Sequence, residues 1–469
     1  MPTMFFLALI ISCSDATPPD EPSRPAAPTV HGPTDLDLTM SWQKPWAIVS
    51  QPLFHEGHLY LCIGQKEGEE ALLKVKPDGE TVWRTPLTAR CVGAVHPAGE
   101  RLYLRLGDGN VAALNQDNGH IAWNATSQMR ASFGAHADEV APTSLTEAPD
   151  LIVVDDTIVT TATNTVFALA TKDGALLWSK QSHQAHHASL HRVGSEVALV
   201  NWGVRSALHS TGGSSSWGSG NIYHYSLQDG EVRRAMSPEG LAATLPLGIK
   251  IHFASEFVNR DSNGYVLIQL YDPPPKANIR HITGNDGVKR AIGGSRDPAK
   301  PSQLLLASFS SWSPQNAYPI PNAQMGAAGR KNYQAYQQLW DFNGLLLFTS
   351  TTQKDQYSPT TVTLHAWRDG KELWTRPNSF VLAVTDKQIV VFDDNGERPK
   401  TGGFGLGVDY TIQESRDTKS RVVLLDENGS DHEPALHLPF HPMQIPFEPQ
   451  IGADQMFIVA PDMTLWAIN

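Results

Sequence analysis

VFALATKDGALLW, from Val166 to Trp178, is the stretch that decides the fold of this chain. Its first half places Val166 and Ala168 on one face of an extended strand, small or branched residues of the kind a tapering sheet takes near its neighbours. Asp173-Gly174 then suits the φ > 0 conformations of a type I′ turn, whose twist matches two antiparallel strands. The stretch therefore predicts a β-hairpin whose second strand carries a tryptophan, Trp178.

Outward from it the pattern recurs. VAALNQDNGHIAW from Val111, LLKVKPDGETVW from Leu72 and LHAWRDGKELW from Leu364 are close copies. IYHYSLQDGEVRR from Ile222, IRHITGNDGVKR from Ile279 and VVLLDENGSDHEP from Val422 are weaker ones. The turn glycines are Gly79, Gly119, Gly174, Gly230, Gly287, Gly370 and Gly429. Trp83, Trp123, Trp178 and Trp374 each stand four positions after a turn glycine and are expected to pack between adjacent units. At ~25 cal/mol for each Å² of apolar surface buried, such rings are a main source of stability.

The spacing of the glycines suits four-stranded blades, and the two ends of the chain complete an eighth. Leu38 to Trp46 reads as an outer strand with no inner strand before it, and Met463 to Asn469 as half a hairpin with no partner after it. Pairing them closes a ring and removes open sheet edges. The expected fold is all-β: an eight-bladed β-propeller of four-stranded antiparallel blades, closed by its N-terminal and C-terminal strands.

These repeats resemble the PQQ-like repeats (PQQ, pyrroloquinoline quinone) of a β-propeller family that includes quinoprotein alcohol dehydrogenases and envelope lipoproteins of BamB-like architecture. The resemblance covers Leu38 to Asn469 as architecture, and fold alone does not fix function. For a dehydrogenase it implies a tryptophan platform, an adjacent Cys-Cys disulfide and a calcium ion held by acidic and amide side chains. The chain has three cysteines, Cys13, Cys62 and Cys91, none adjacent to another. With those holding residues missing, the expectation is no cofactor and no enzymatic activity. A quinone-dependent oxidoreductase, or a propeller binding a small ligand or carbohydrate, is the competing reading.

Composition narrows the partners. Lys and Arg number 36 against 48 Asp and Glu, a formal net charge of −12 without a basic cluster, which argues against a nucleic-acid partner. The apolar run Met4 to Ile11 leads into Ile10-Ile11-Ser12-Cys13 and resembles a bacterial lipoprotein signal, although no Lys or Arg precedes it. The expected organisation is a signal peptide over 1–12, a Pro-rich tether over 13–36 lipidated at Cys13, and the propeller over 37–469. This places the protein in the bacterial cell envelope, anchored by lipid to the outer membrane and facing the periplasm. Cys62 and Cys91 read as two small apolar residues on buried strands; an oxidising compartment permits their pairing, which the sequence leaves open.

Motifs for chemistry are weak. His183, His186, His187 and His191 cluster in HQAHHASLHR, but a strand starting near Ala188 separates them, so no metal site is expected and His186, His187 and His191 are weak candidates only. Asn259-x-Asp261-x-Asn263-Gly264 opens like a calcium loop, yet Leu270 stands where the bidentate Glu belongs, and a strand-to-strand turn explains it. Gly402 to Gly407 reads as an insertion in blade seven. Thr211 to Gly220 is a Gly/Ser-rich loop with Trp217 as its one anchor. The largest interruption is an insertion at about 293–340 in blade six, rich in aromatic and Pro residues. Its Trp312, Tyr318, Tyr333 and Tyr336 join Trp217 as candidates for binding an envelope protein partner. The function expected is a protein-binding scaffold, in outer-membrane protein assembly.

Overall fold

The computed structural model describes residues 36, 38–64, 68–125, 151–162, 165–182, 188–201, 221–236, 250–258, 264–271, 280–283, 289–292, 301–308, 314–318, 340–352, 361–369, 371–393, 421–438, 445–447, 449–452 and 454–469, with backbone alone across 250–318. Alternating apolar residues and frequent turns leave these residues as strands in eight four-stranded antiparallel sheets and one two-stranded ribbon. Blade one is β2 (Leu53–His55), β3 (His58–Ile63), β4 (Ala71–Val75) and β5 (Thr81–Pro86). Blade two is β6 (Cys91–Ala98), β7 (Arg101–Leu106), β8 (Val111–Asn115) and β9 (Ile121–Ala125). Blade three is β10 (Leu151–Val154), β11 (Thr157–Ala162), β12 (Thr165–Ala170) and β13 (Leu176–Gln181). Blade four is β14 (Ala188–Val193), β15 (Glu196–Asn201), β16 (Asn221–Ser226) and β17 (Val232–Met236).

Blade five departs from the sequence reading. It is built from β18 (Lys250–Val258), β19 (Gly264–Tyr271), β22 (Pro301–Ser308) and β23 (Pro314–Tyr318). The segment IRHITGNDGVKR, expected to be this blade's hairpin, instead forms the separate ribbon β20 (Arg280–Thr283) and β21 (Lys289–Ile292), between the second and third strands. The stretch read as one insertion at about 293–340 therefore divides, because it contains the third and fourth strands of blade five, and 319–339 connects to blade six. The outer strand was hidden because it begins at Pro314 in a turn without glycine; an edge strand tolerates a proline where no ladder N–H is needed.

Blade six is β24 (Trp340–Phe342), β25 (Leu345–Thr352), β26 (Thr361–Arg368) and β27 (Lys371–Pro377). Blade seven is β28 (Ser379–Val384), β29 (Ile389–Asp393), β30 (Arg421–Leu425) and β31 (Asp431–Leu436). Blade eight joins β32 (Gln450–Ile451), β33 (Met456–Val459) and β34 (Leu465–Ile468) to β1 (Met40–Lys44) from the other end of the chain. Trp42 lies opposite Ala467 and Lys44 opposite Leu465, as closure by the termini requires. Leu38 N–H donates to Asn469 O at 2.6 Å, and Leu36 is buried with Leu38 against Phe380 and Phe392 of blade seven.

Apolar cores fill the seams between blades: Tyr103 and Ala113 meet Ile158 and Phe167 across blades two and three, and Leu345 and Leu364 meet Val391 and Leu425 across blades six and seven. The tryptophans lock these seams. In blades one, two, three and six, a one-residue bulge lies between the turn and the tryptophan; Ala168, for example, faces Trp178 while the next residue, Leu169, faces Leu176. The bulge bends the outer strand, and each indole lies over the turn of the following blade. Trp42, Trp83, Trp123, Trp178 and Trp374 donate their Nε1–H to the carbonyls of Pro77, Gln116, Thr171, Leu227 and Glu427, at 2.7–3.2 Å.

Each of those turns contains a glycine under the ring. A Cβ on Gly119, Gly174, Gly230 or Gly429 would stand 2.5–2.8 Å from the indole of the preceding blade. In blades one to four and seven the turns differ from the type I′ expectation, whereas in blade six Asp369 takes the positive φ that it requires, between the paired Arg368 and Lys371. Gly79, Gly119, Gly174, Gly230 and Gly429 take positive φ, whereas Asp78, Asn118, Asp173, Asp229 and Asn428 before them do not. A single left-handed residue beside a bulge is the geometry of a longer hairpin loop, not of the two-residue turn.

Candidate binding face

Antiparallel order within each blade sorts the connections onto two faces. First-to-second and third-to-fourth strand connections leave at one face; second-to-third connections and those between blades leave at the other. On the first, the turn face, no connection exceeds five residues, from 56–57 and 76–80 in blade one to 426–430 in blade seven. The second face carries all the long ones: 126–150, 202–220, 237–249, 272–300, 319–339, 394–420 and 437–449. On the turn face, the indoles of blades one, two, three, six and eight each cover the turn of the blade that follows. The shallow groove of this face between Ala98, Arg101, Tyr103 and Thr171 is crossed by Arg101, which donates to the carbonyls of Thr171 and Lys172 at 2.8 Å.

Two ties hold strand ends together at the second face. Cys62, near the end of β3, and Cys91, at the start of β6, form a disulfide with their Cα atoms 6.1 Å apart, tying blade one to blade two at this face. Both are buried, as the sequence suggested, and the pairing it left open is made. Under 394–420, the buried Asp393 ends β29 and accepts from Ser379 Oγ at 2.8 Å and from Arg376 Nε at 2.7 Å; Arg421, which starts β30, lies 3.4 Å away. Arg376 also bonds Asp431, and this hydrogen bond holds the Asp431 carboxyl below its ordinary value. Hydrogen bonding to Asp393 and Asp431 pushes the Arg376 guanidinium up, beyond any pH at which it loses its charge.

Blade four carries a different buried polar group. His224 on β16 is wholly buried, its Nδ1 3.1 Å from Glu196 Oε2, with Arg234 NH2 3.3 Å from the same oxygen. Burial, assisted by Arg234, lowers the His224 pKa. Arg234 stands where blades one, two, three, six and eight carry the docking tryptophan, facing His224 in register.

Of the candidate residues, Tyr318 is the last residue of β23, at the end facing the long connections. Trp217, Trp312, Tyr333 and Tyr336 lie outside the described residues, as do Cys13, His183, His186 and His187. His191 is on β14, opposite Ala198 and buried. Among the described residues no group of three His, Cys, Asp or Glu converges as for a metal ion. The set expected to hold a quinone does not fit either, since Cys62 and Cys91 are bonded across two blades and no adjacent cysteines exist. The ribbon β20–β21 is a feature of the long-connection face that the sequence did not disclose, because its turn imitates the blade repeat.

Residues 39–197 match the family described as "Outer membrane protein assembly factor BamB". No curated protein matches the chain. Among solved structures, BamB from Moraxella catarrhalis is similar over 92% of this chain and 99% of its own, at 10% identity and a TM-score of 0.48. Quinohemoprotein alcohol dehydrogenase from Comamonas testosteroni is similar over 92% of this chain and 76% of its own, at 9% identity and a TM-score of 0.49. From the matched residues and its eight sheets, the chain is a β-propeller of PQQ-like repeats, BamB-like in architecture.

Proposed function

We propose that this protein is a non-enzymatic, lipid-anchored scaffold of the bacterial cell envelope, which binds a protein partner through its long-connection face in the assembly of outer-membrane proteins. The observation that carries the reading is the sorting of connections: every one longer than ten residues leaves from one face, where a disulfide ties blades one and two and an ion cluster holds the strand ends on either side of 394–420. Recognition on rigid scaffolds concentrates on such segments. The tether supports it as well. Leu36 N–H donates to Gln388 Oε1 at 3.2 Å, in a connection of the turn face, so a chain anchored at Cys13 enters opposite the binding face. The match of 39–197 to an assembly-factor family supports the class of partner.

The test replaces 319–339 by a short Gly/Ser linker, leaving β23 intact, and compares proteins co-purified from the native envelope. Retained melting temperature with loss of the principal partner is expected. Recovery equal to wild type removes this connection, with Tyr333 and Tyr336, from the binding surface. Mass spectrometry of the mature N-terminus tests the anchor: an acylated Cys13 is expected, and an intact Met1 refutes it.

A further inference from the structure

The ribbon β20–β21 belongs to no blade. It interrupts blade five between β19 and β22 and so rises from the long-connection face, yet it adds no strand to the four-stranded sheet. Arg280 faces Ile292, His281 faces Ala291, Ile282 faces Arg290 and Thr283 faces Lys289. Arg280, Ile282, Arg290 and Ile292 therefore share one face of the ribbon, and His281, Thr283, Lys289 and Ala291 the other. Three of these eight residues are Arg or Lys and none is acidic, in a chain whose net charge is −12. Among the described residues, neither β20 nor β21 has a strand on its outer edge.

Each of these properties asks for the same partner. A lone two-stranded ribbon is marginal in water and gains from a third strand. An outer edge presents N–H and C=O groups to any extended chain beside it, with affinity from the main chain and selectivity from alternate side chains. Basic residues on both faces select for carboxylates on the added strand, since opposite charges across a strand pair are favourable and like charges are not.

We propose that β20–β21 is a strand-pairing dock for an extended acidic segment of a partner protein. The natural occupant rests on the scaffold reading above; the pairing itself does not, and it is tested with a defined probe. The probe is a fluorescein-labelled (Glu-Val)4 peptide, with (Glu-Pro)4 as a control of equal charge that has half its backbone N–H groups removed and cannot pair as a strand. Fluorescence anisotropy with the full chain is expected to show (Glu-Val)4 binding at least tenfold tighter than (Glu-Pro)4, weakening with salt. Binding is expected to fall at least tenfold in the R280E/R290E variant, with its melting temperature kept. Equal binding of the two peptides overturns the proposal, because charge alone then suffices, and it does so on wild-type protein whatever the variant's stability. Undiminished (Glu-Val)4 binding by a folded R280E/R290E variant overturns it too. Vesicles containing phosphatidylglycerol form the third arm: if they bind through Arg280 and Arg290 while the peptide does not bind, the ribbon recognises lipid headgroups and the proposal fails. If the peptide binds as expected but partner capture fails, the scaffold reading alone is lost.

Discussion

Substituting Gly230 by alanine separates the two demands that a docking turn makes on its glycine. Gly230 has φ +69° and Gly57 has φ +72°, but a Cβ on Gly57 meets nothing within 4 Å, whereas on Gly230 it stands 2.5 Å from Trp178 Cε3 and 2.6 Å from Cδ2. Left-handed backbone costs an alanine about 1–2 kcal/mol, and the less flexible unfolded chain returns about 0.4–1 kcal/mol. Gly57→Ala is therefore expected to cost about 1 kcal/mol. At Gly230 the indole must also move, disturbing a nearly buried ring and its 2.9 Å bond to Leu227 O. Overpacking of this kind adds about 1–3 kcal/mol, which brings Gly230→Ala to about 2–4 kcal/mol. Urea unfolding of G57A, G230A, W178A and the G230A/W178A double variant measures the difference, and in the W178A background the excess at Gly230 should vanish. Equal destabilisation by G57A and G230A, within about 0.5 kcal/mol, would refute the claim that indole-over-glycine contacts lock the ring.

Two further outcomes follow from the described cores. Replacing Cys62 and Cys91 by serine opens a link with a sequence separation of 29 and should cost about 3–4 kcal/mol, seen as a lower melting temperature that reductant no longer changes; a wild-type protein insensitive to reductant at full thiol exposure contradicts it. His224 has a folded-state pKa lowered from 6.5 to about 4, so the unfolded chain binds the extra proton first: its stabilisation is complete above about pH 6.5 and drains away as pH falls towards 4. His224→Gln should flatten part of that loss, while His55 and His365, also lowered by burial, keep the rest, and an unchanged fall in melting temperature between pH 7 and pH 4.5 refutes the assignment.

The repeat was legible because both halves of its central contact are written in it. A glycine on which a Cβ would stand 2.5–2.8 Å from an indole, and the tryptophan four positions later, mark one seam each. Closure by Met40–Lys44 and Leu465–Ile468 was legible for a related reason, since each end held half a hairpin. Blade five was not legible. By register its docking position is Asn316, facing Leu306, in a hairpin whose turn lacks glycine, while Gly287 advertises a blade hairpin where the ribbon stands. Blade four gave a glycine and then Arg234, whose partner Glu196 lies two strands away and leaves no local pattern. The disulfide was beyond reach because Cys62 and Cys91 meet through blade packing, not strand pairing. For the binding face, the long connections were visible individually as breaks in rhythm. That they share a face depends on strand order, which the misread blade obscured.

The most direct test of the central claim is photo-crosslinking in the native envelope from one face and then the other. A crosslinking amino acid is placed at exposed positions of the long-connection face, Thr88, Arg90 and Asp462, and at exposed positions of the turn face, Asp78, Asp117 and Asp173. A scaffold that binds through the long-connection face should give one recurrent protein adduct from the first set and none from the second. The same adduct from Asp78, Asp117 and Asp173, with none from Thr88, Arg90 and Asp462, would contradict the account.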